Sequence, residues 1–252
     1  MNAARSRLCH YGPDAIALRG RDLVGELIGK VGFTALLYHH VTGRRASAAT
    51  VAVLDAVLVT LMEHGLTPSA IAARMTLHGA PDSVQGAIAA GLLGIGDRFV
   101  GTMEGCARLL DRIVAAPAKQ RAALARAIAA EHRRARRPVP GFGHNLHKPD
   151  DPRTPRLLAL AGKAGVGRAH VAALRLLGRA VDAAAGRHVT INATGASAAL
   201  LRGIGLEAEI MRGVAVVARA AGLLAHVAEE RASPIAGDVW TAVERQFGTE
   251  AP

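Results

Sequence analysis

The sequence is poor in aromatic residues, in cysteine and in lysine. Half of its 252 residues are hydrophobic, yet only seven are aromatic: four Phe, two Tyr and one Trp. The core must therefore be built from Ala, Leu, Val and Ile, which favours closely packed helices. The shortage of stacking groups argues against single-stranded nucleic acid as a ligand, and no helix-turn-helix, zinc-finger or RNA-binding signature is present. We therefore expect no nucleic-acid partner.

Disulfide, metal-ligand and membrane patterns are also missing. The two cysteines, Cys9 and Cys106, form neither a disulfide framework nor a metal-ligand spacing. No uncharged apolar run reaches the roughly 18 residues that span a bilayer. The longest candidates, residues 83–96 and 188–201, have fourteen residues each. Because the first residues also lead into no hydrophobic signal region, we expect a soluble, cytoplasmic protein without a membrane partner.

The charge of the chain comes almost wholly from arginine. Its net charge is +11, and its only lysines are Lys30, Lys119, Lys148 and Lys163. A balance of this kind fits a polyanionic small molecule as well as it fits a nucleic acid. The length allows one large domain or two small ones.

The densest group of special residues is the segment Pro140–Arg153, which reads PGFGHNLHKPDDPR. Its three prolines and two glycines predict an irregular loop. Asp151 and Pro152 predict the cap and first position of a following helix. The loop could be no more than a capped surface turn.

The loop also carries chemistry. The imidazole of His144, bare backbone amides and the guanidinium of Arg153 suit a carboxylate-bearing substrate that exchanges a proton. A metal site at His144 and His147 with Asp150 is the alternative. We expect no metal, because this histidine spacing recurs often in loops.

Periodicity predicts helices on the N-terminal side of this loop. Residues 14–45 are predicted to form two helices, because Leu23, Leu27 and the apolar residues after them recur at four-residue spacing. A clear helix is predicted over residues 48–62, with Gly65 as its left-handed C-cap, and another begins at residues 67–68, so that His64 lies at their junction. A helix over residues 83–96 is rich in Gly and Ala and can pack closely within one subunit or across a dimer. Residues 103–137 are predicted to be helical and to end in a basic run, which is a solvated face or a phosphate site.

On the C-terminal side, helices are predicted through residue 185. Residues 188–192 should form a short extended piece, and a helix with Thr194 near its start should follow. Arg219 lies on an alanine-rich helix, where an arginine is ordinarily a surface residue.

Taken in order, these motifs resemble the citrate synthase superfamily from about residue 15 to residue 236. The loop resembles its Gly-x-Gly-His … Asp-Pro-Arg signature, residues 62–74 resemble the first substrate histidine and the helix after it, and residues 217–226 resemble the helix whose arginine grips a substrate carboxylate. The resemblance implies an all-α fold and a homodimer. It also implies a large helical domain of residues 1–102 and 204–252, a small helical domain of residues 103–203, and an active site in the cleft.

The same resemblance implies roles for particular residues. His64, Arg153 and Arg219 would hold the carboxylates of an oxo-acid such as oxaloacetate, and His144 would be the catalytic partner of the hydroxyl group. Arg231 is a candidate for an arginine contributed by a partner subunit. Coenzyme A, as acyl-CoA substrate or product, would be wrapped by the backbone of five loop residues: Pro140, Gly141, Phe142, Gly143 and Asn145.

Two positions depart from the citrate synthase pattern. Phe99, in the string Gly-Asp-Arg-Phe, stands where citrate synthases have a catalytic histidine, and the string resembles citryl-CoA lyases and the citryl-CoA-cleaving module of ATP citrate lyase. Thr194 stands where the family has the aspartate that exchanges the acyl α-proton, and a hydroxyl is not a base near neutral pH. The resemblance therefore favours retro-aldol cleavage of a citryl-CoA-like thioester over condensation. A non-catalytic acyl-CoA-binding homologue is the alternative from another class.

Overall fold

The protein is described by a computed structural model over residues 6–96 and 100–248, and helices dominate it, which confirms the all-α prediction. Its longer elements are α1 (Phe33–Thr42), α2 (Ala48–Met62), α3 (Pro68–Gly79), α4 (Val84–Leu93), α5 (Thr102–Ala115), α6 (Arg121–Arg134), α7 (Arg153–Ala164), α8 (Arg168–Ala185), α9 (Ala193–Gly203), α10 (Ala208–Ala232) and α11 (Ala236–Phe247). A 3₁₀ turn, Ala118–Gln120, joins α5 to α6 after Pro117, so that the predicted helix over residues 103–137 is two helices.

The prediction of two helices in residues 14–45 is wrong for the first of them. Three short antiparallel strands lie there instead, β1 (Cys9–Tyr11), β2 (Ile16–Leu18) and β3 (Arg21–Asp22), followed by a π-helical turn over Leu23–Leu27. The turn between β2 and β3 contains Gly20 at φ +78°, and Gly29 at φ +73° lies in the turn that follows the π-helical segment. Glycine reaches these angles without steric cost, so it interrupts an apolar spacing that otherwise fits a helix.

The helices on either side of His64 begin as predicted. The Ser47 hydroxyl accepts the Thr50 N–H at the start of α2, and Thr67 does the same for Ala70 at the start of α3. Gly65 is left-handed, at φ +74°, but it is not the cap of α2, because the chain turns extended directly after Met62. His64 therefore lies in an open connection between the two helices. The helix predicted over residues 83–96 is shorter than expected, since α4 covers only Val84–Leu93.

Helix α10 forms the centre of the packing. It contacts α2, α3, α4, α5 and α9, and its small residues allow close approach. A Cβ added at Gly222 would meet the Met62 carbonyl oxygen, and one added at Gly91 of α4 would meet Leu223. By length and mean hydropathy α10 could cross a membrane, but in this fold it is a core helix that carries buried polar side chains. The division into a large and a small domain remains a prediction.

Candidate active site

The segment after Val139 is a loop held against the predicted extended piece. Phe142 pairs antiparallel with Ile191, the Gly143 N–H donates to the Thr190 carbonyl oxygen at 2.8 Å, and the Asn192 N–H donates to the Gly141 carbonyl oxygen at 3.1 Å. Both glycines have positive φ, +86° at Gly141 and +81° at Gly143. A Cβ added at Gly143 would meet only the Val189 Cγ1, at an ordinary contact distance of 4.0 Å, so glycine is required there by conformation rather than by a close neighbour.

Gly141 is also required for close approach. A Cβ there would lie 2.6 Å from the Cys106 Sγ and 2.8 Å from the Gly195 Cα, while one at Gly195 would lie 2.4 Å from the Gly141 carbonyl oxygen. These distances are far below ordinary contact. The loop and the start of α9 therefore touch backbone to backbone, which fixes the loop beside Thr194.

The expectation of bare amides in this loop is wrong for four of its residues. The Phe142 N–H donates to the Val139 carbonyl oxygen at 3.1 Å, and that of Gly143 pairs with Thr190 as above. The N–H groups of Leu146 and His147 donate to the Nδ1 atom of His144, at 3.1 and 3.0 Å. These four N–H groups are therefore already hydrogen-bonded within the protein and are not free to bind a ligand.

These last two bonds define the protonation of His144. A backbone N–H can only donate, so Nδ1 must be the unprotonated nitrogen, and the neutral ring then carries its proton on Nε2. Partial burial lowers the pKa of His144 below 6.5, and the neighbouring His147 and Arg153 lower it further. The site therefore holds a neutral imidazole that presents an N–H donor at Nε2.

Three imidazoles meet at this point. The ring centroid of His144 lies 5.9 Å from that of His64 and 4.4 Å from that of His147, and one nitrogen of each ring lies within 4.8 Å of the others. Asp150, which the sequence offered as a metal ligand beside His144 and His147, bonds His188 instead, at 3.0 Å. The resemblance placed His64 in one site with His144, whereas the spacing of the two loop histidines did not indicate a contact with His64.

A metal ion fits this cluster poorly. A histidine that binds a metal through one nitrogen normally donates the N–H of the other, but His144 Nδ1 accepts two hydrogen bonds and its Nε2 holds the proton. The Arg153 Nη2 also lies 3.4 Å from His144 Nε2 and would repel a cation. Two donors this close share an oxygen acceptor only if it lies to one side of both nitrogens, within hydrogen-bond distance of each.

Arg153 is held in place by Asp151. Its Nε and Nη2 donate to the two carboxylate oxygens at 2.9 and 2.8 Å, and its N–H donates to Oδ1 at 3.1 Å. The Asp151 side chain is fully buried and also accepts the Ala193 N–H at 2.9 Å. The charge-assisted bonds of Arg153 lower the pKa of Asp151 to about 2, against the effect of burial. The predicted cap is one position off: Pro152 is the N-cap residue of α7, and Asp151, just before it, accepts the Arg153 N–H, orients the Arg153 side chain and joins the loop to α9.

Arg219 lies on α10, and its guanidinium group is partly buried. Its Nη1 is buried and makes no hydrogen bond to any residue that the structure describes. Burial lowers its pKa, and the charge of Glu63 opposes that shift. Glu63 in turn accepts the N–H groups of His64 and Gly65 at 2.8 and 2.5 Å. An orphaned guanidinium donor is satisfied when an anion binds.

Glu63 belongs to a network that the sequence did not reveal. The buried Arg74 donates through Nε to His226 Nδ1 at 3.0 Å and through Nη1 to Glu230 at 2.7 Å. His226 Nε2 then lies 3.2 Å from Glu63. Because Arg74 can only donate, His226 Nδ1 is an acceptor, and its Nε2–H donates to Glu63. The hydrogen bonds therefore run from Arg74 through His226 and Glu63 to the backbone N–H of His64. The spacing of His226, Glu229 and Glu230 on one helix face was the available signal.

Thr194 lies at the start of α9 in a set of hydroxyl and amide groups. Its Oγ1 donates to the Asn192 Oδ1 at 2.7 Å and lies 3.1 Å from the Thr102 Oγ1. Asn192 also caps α9 through Gly195 and donates to the Gly143 carbonyl oxygen at 2.8 Å. Asn192 therefore links Thr194 to the histidine loop, a role that sequence reasoning missed. Phe99 lies outside the described residues.

The structure describes the surroundings of the other predicted site residues, but records no contact that joins these residues to one another. Pro140 is half-buried and would meet a Cβ added at Gly105 at 3.1 Å, while the side chain of Asn145 is exposed. The basic run of residues 133–137 is exposed, next to the loop in sequence. Arg231 donates to the Pro81 carbonyl oxygen at 2.9 Å. The contacts of these residues with coenzyme A or a partner subunit remain predictions.

The geometry is that of an anion site built from imidazole and guanidinium nitrogens. Comparison with known proteins places the chain in a family. The family model "Citrate synthase, C-terminal domain" matches residues 17–237, so the chain belongs to the citrate synthase family. No curated protein matches it.

Three solved structures are similar. Citryl-CoA lyase from Hydrogenobacter thermophilus superposes with a TM-score of 0.82 and is 27% identical, over 92% of this chain and 88% of that one. ATP citrate lyase from Methanothrix soehngenii, in complex with citrate and coenzyme A, gives 0.76 and 20%, over 92% of this chain and 39% of that one. Citrate synthase from Thermoplasma acidophilum, in complex with carboxymethyl coenzyme A and oxaloacetate, gives 0.64 and 18%, over 81% and 54%. The last two support the fold alone.

Proposed function

We propose that this protein is a carbon–carbon lyase that cleaves a citryl-CoA-like thioester to acetyl-CoA and oxaloacetate. The observation that carries the proposal is the meeting of His64, His144 and His147 with the oriented guanidinium of Arg153. Such a set can hold an oxyanion and the carboxylates beside it. Support for cleavage over condensation comes from the likeness to a citryl-CoA lyase over 88% of its length and from phenylalanine at position 99, where citrate synthases have a catalytic histidine.

The proposed reaction begins at the tertiary hydroxyl of the thioester. His144 donates its Nε2–H to the hydroxyl oxygen, and the hydroxyl proton passes to His64, whose ring makes no hydrogen bond to a described residue. The bond between the carbinol carbon and the thioester methylene then breaks. A carbonyl forms on the oxo-acid, and the electron pair moves into the thioester enolate. A proton from solvent, added to the enolate carbon, completes acetyl-CoA, and His64 returns the hydroxyl proton to solvent.

His144 differs here from its sequence-based role. Because its Nδ1 is occupied, it stabilises the developing oxyanion as a donor and does not itself take the hydroxyl proton. Arg153 and Arg219 hold the carboxylates, and Asp151 and Glu63 orient the groups beside them. Coenzyme A is the expected carrier of the acyl group, and no metal takes part.

A non-catalytic acyl-CoA-binding protein is the second candidate, favoured by the hydroxyl of Thr194 in the place of a carboxylate. A panel of citryl-, citramalyl- and related thioesters, assayed for release of oxaloacetate or pyruvate, separates the two. Release that is lost in Arg153→Ala but kept in Arg126→Ala, an exposed arginine of α6, supports the lyase. Tight acyl-CoA binding without release of any oxo-acid supports the binding protein.

A further inference from the structure

A second pocket lies beside α1 and shares no residue with the histidine cluster. It has a volume of about 260 Å³ and is lined by eight residues: Arg21, Lys30, Val31, Gly32, Ala35, His39, Arg45 and Ala46. Gly32, Ala35 and His39 follow one another along one face of α1. Because the first two have little or no side chain, they leave room against the helix.

The charge of this pocket has one sign. Arg21, Lys30 and Arg45 all line it, and none of its eight lining residues is acidic. The nearest acidic groups in sequence, Asp22 and Glu26, are engaged with the backbone of the π-helical turn. The side chain of Arg45 makes no hydrogen bond or ion pair with a residue that the structure describes. Lys30 Nζ donates to the Gly25 carbonyl oxygen at 2.6 Å and Arg21 Nη2 to that of Glu26 at 3.5 Å, but no acidic side chain lines the pocket, so these two cations and Arg45 favour an anion there.

Two buried nitrogens in this pocket lack partners. His39 is only 8% exposed; its Nδ1 faces the Arg44 carbonyl oxygen at 3.2 Å, while its Nε2 has no hydrogen-bond partner among the described residues. The Nε of Arg21 is likewise buried and unpaired. Buried polar atoms of folded proteins are nearly always paired with protein, water or a ligand. The N-terminus of α1 adds further donors, since its N-cap Gly32 makes no side-chain capping bond.

We propose that this pocket binds a phosphate group, free or as a phosphomonoester. A phosphate carries a charge of roughly −1.5 to −2 near neutral pH and three strong acceptor oxygens, which suits arginine, lysine and a helix N-terminus together. The Nδ1 of His39 holds a proton toward the Arg44 carbonyl oxygen, so its unpaired Nε2 can accept a hydrogen bond from a P–O–H group.

The test is calorimetric titration of the full chain with inorganic phosphate and with glycerol 3-phosphate. Arg45→Gln removes a charge from an exposed side chain, and Ala35→Leu fills the pocket while keeping every charge and a good helix former. Arg126→Gln, on α6, is the control for net charge. We expect Arg45→Gln to weaken binding by about tenfold or more, as for loss of a charge-assisted hydrogen bond, Ala35→Leu to abolish it, and Arg126→Gln to leave it unchanged.

Each other outcome has a meaning. Tighter binding of glycerol 3-phosphate identifies an ester as the ligand, weaker binding identifies the free ion, and equal binding shows that the site recognises the phosphate group alone; all three support the site. Equal weakening by Arg45→Gln and Arg126→Gln, or full binding by Ala35→Leu, would overturn the proposal, because the anion would then bind through general charge or elsewhere. No binding of either compound at millimolar concentration would also overturn it and leave water as the occupant of the pocket.

Discussion

The two nitrogens of His144 have different functions in this structure, and two substitutions can separate them. In His144→Asn, the amide oxygen takes nearly the place of Nδ1, so Leu146 and His147 keep an acceptor for their N–H groups. The donor at Nε2 is lost. In His144→Gln, the amide reaches toward the place of Nε2, but the two N–H groups lose their acceptor.

The magnitudes follow from these contacts. Loss of an oxyanion donor costs about 10²–10³ in kcat, so His144→Asn should lose turnover by that factor with little loss of stability. His144→Gln should lose two hydrogen bonds of roughly 0.5–1.5 kcal/mol each. Since the loop is partly open to water, which replaces them, we expect the lower end of that range. The unfolding free energy should fall by about 1 kcal/mol.

The assay combines oxaloacetate release from citryl-CoA with hydrogen exchange at the Leu146 and His147 amides. Exchange should remain slow in His144→Asn and become fast in His144→Gln. His10→Asn, on the exposed strand β1, is the matched control. The reasoning is refuted if His144→Asn retains near-normal cleavage, or if the two variants show the same amide exchange.

Four further results are expected. In the unmodified protein, exchange of the acetyl-CoA methyl protons with deuterated water should be barely detectable. Thr194→Asp should increase this exchange, because it supplies a base near the N-terminus of α9. Rapid exchange by the unmodified protein would contradict the inference that Thr194 cannot act as that base. Asp151 should contribute about 2 kcal/mol of stability above pH 3.8, and this contribution should be lost as the pH falls toward its folded pKa of about 2. Between about pH 5 and pH 3, the urea midpoint of unfolding should therefore fall less in Asp151→Asn than in the unmodified protein. Gly195→Ala should destabilise the protein by about 1–3 kcal/mol or more in thermal unfolding, because its Cβ overlaps the Gly141 carbonyl oxygen, and unchanged stability would contradict the close backbone contact. We also expect a homodimer that forms through the exposed face of α4, where Leu93 is 88% exposed. Leu93→Arg should dissociate a dimer formed there. A stable, active monomer at micromolar concentration in sedimentation would contradict this prediction.

Much of the architecture was determined by the sequence alone. The apolar spacing and caps of α2 and α3 predicted their starts, because a helix N-terminus is set by local side-chain bonds such as that of Thr67. The irregular loop, the extended piece beside it and the residues of the oxyanion site were also readable. Glycine, proline and histidine act there through their own backbone limits and chemistry, which do not depend on distant partners.

Only the tertiary structure decided the rest. The spacing of Leu23 and Leu27 fits a helix, but two glycines at positive φ and the pairing of β2 with β3 override it. The sequence does not show which nitrogen of His144 bears the proton, since that depends on where the Leu146 and His147 amides point. Glu63 and His226 are 163 residues apart in the chain. They meet because α10 packs against the end of α2, and packing at that separation is fixed by the whole core rather than by any local pattern.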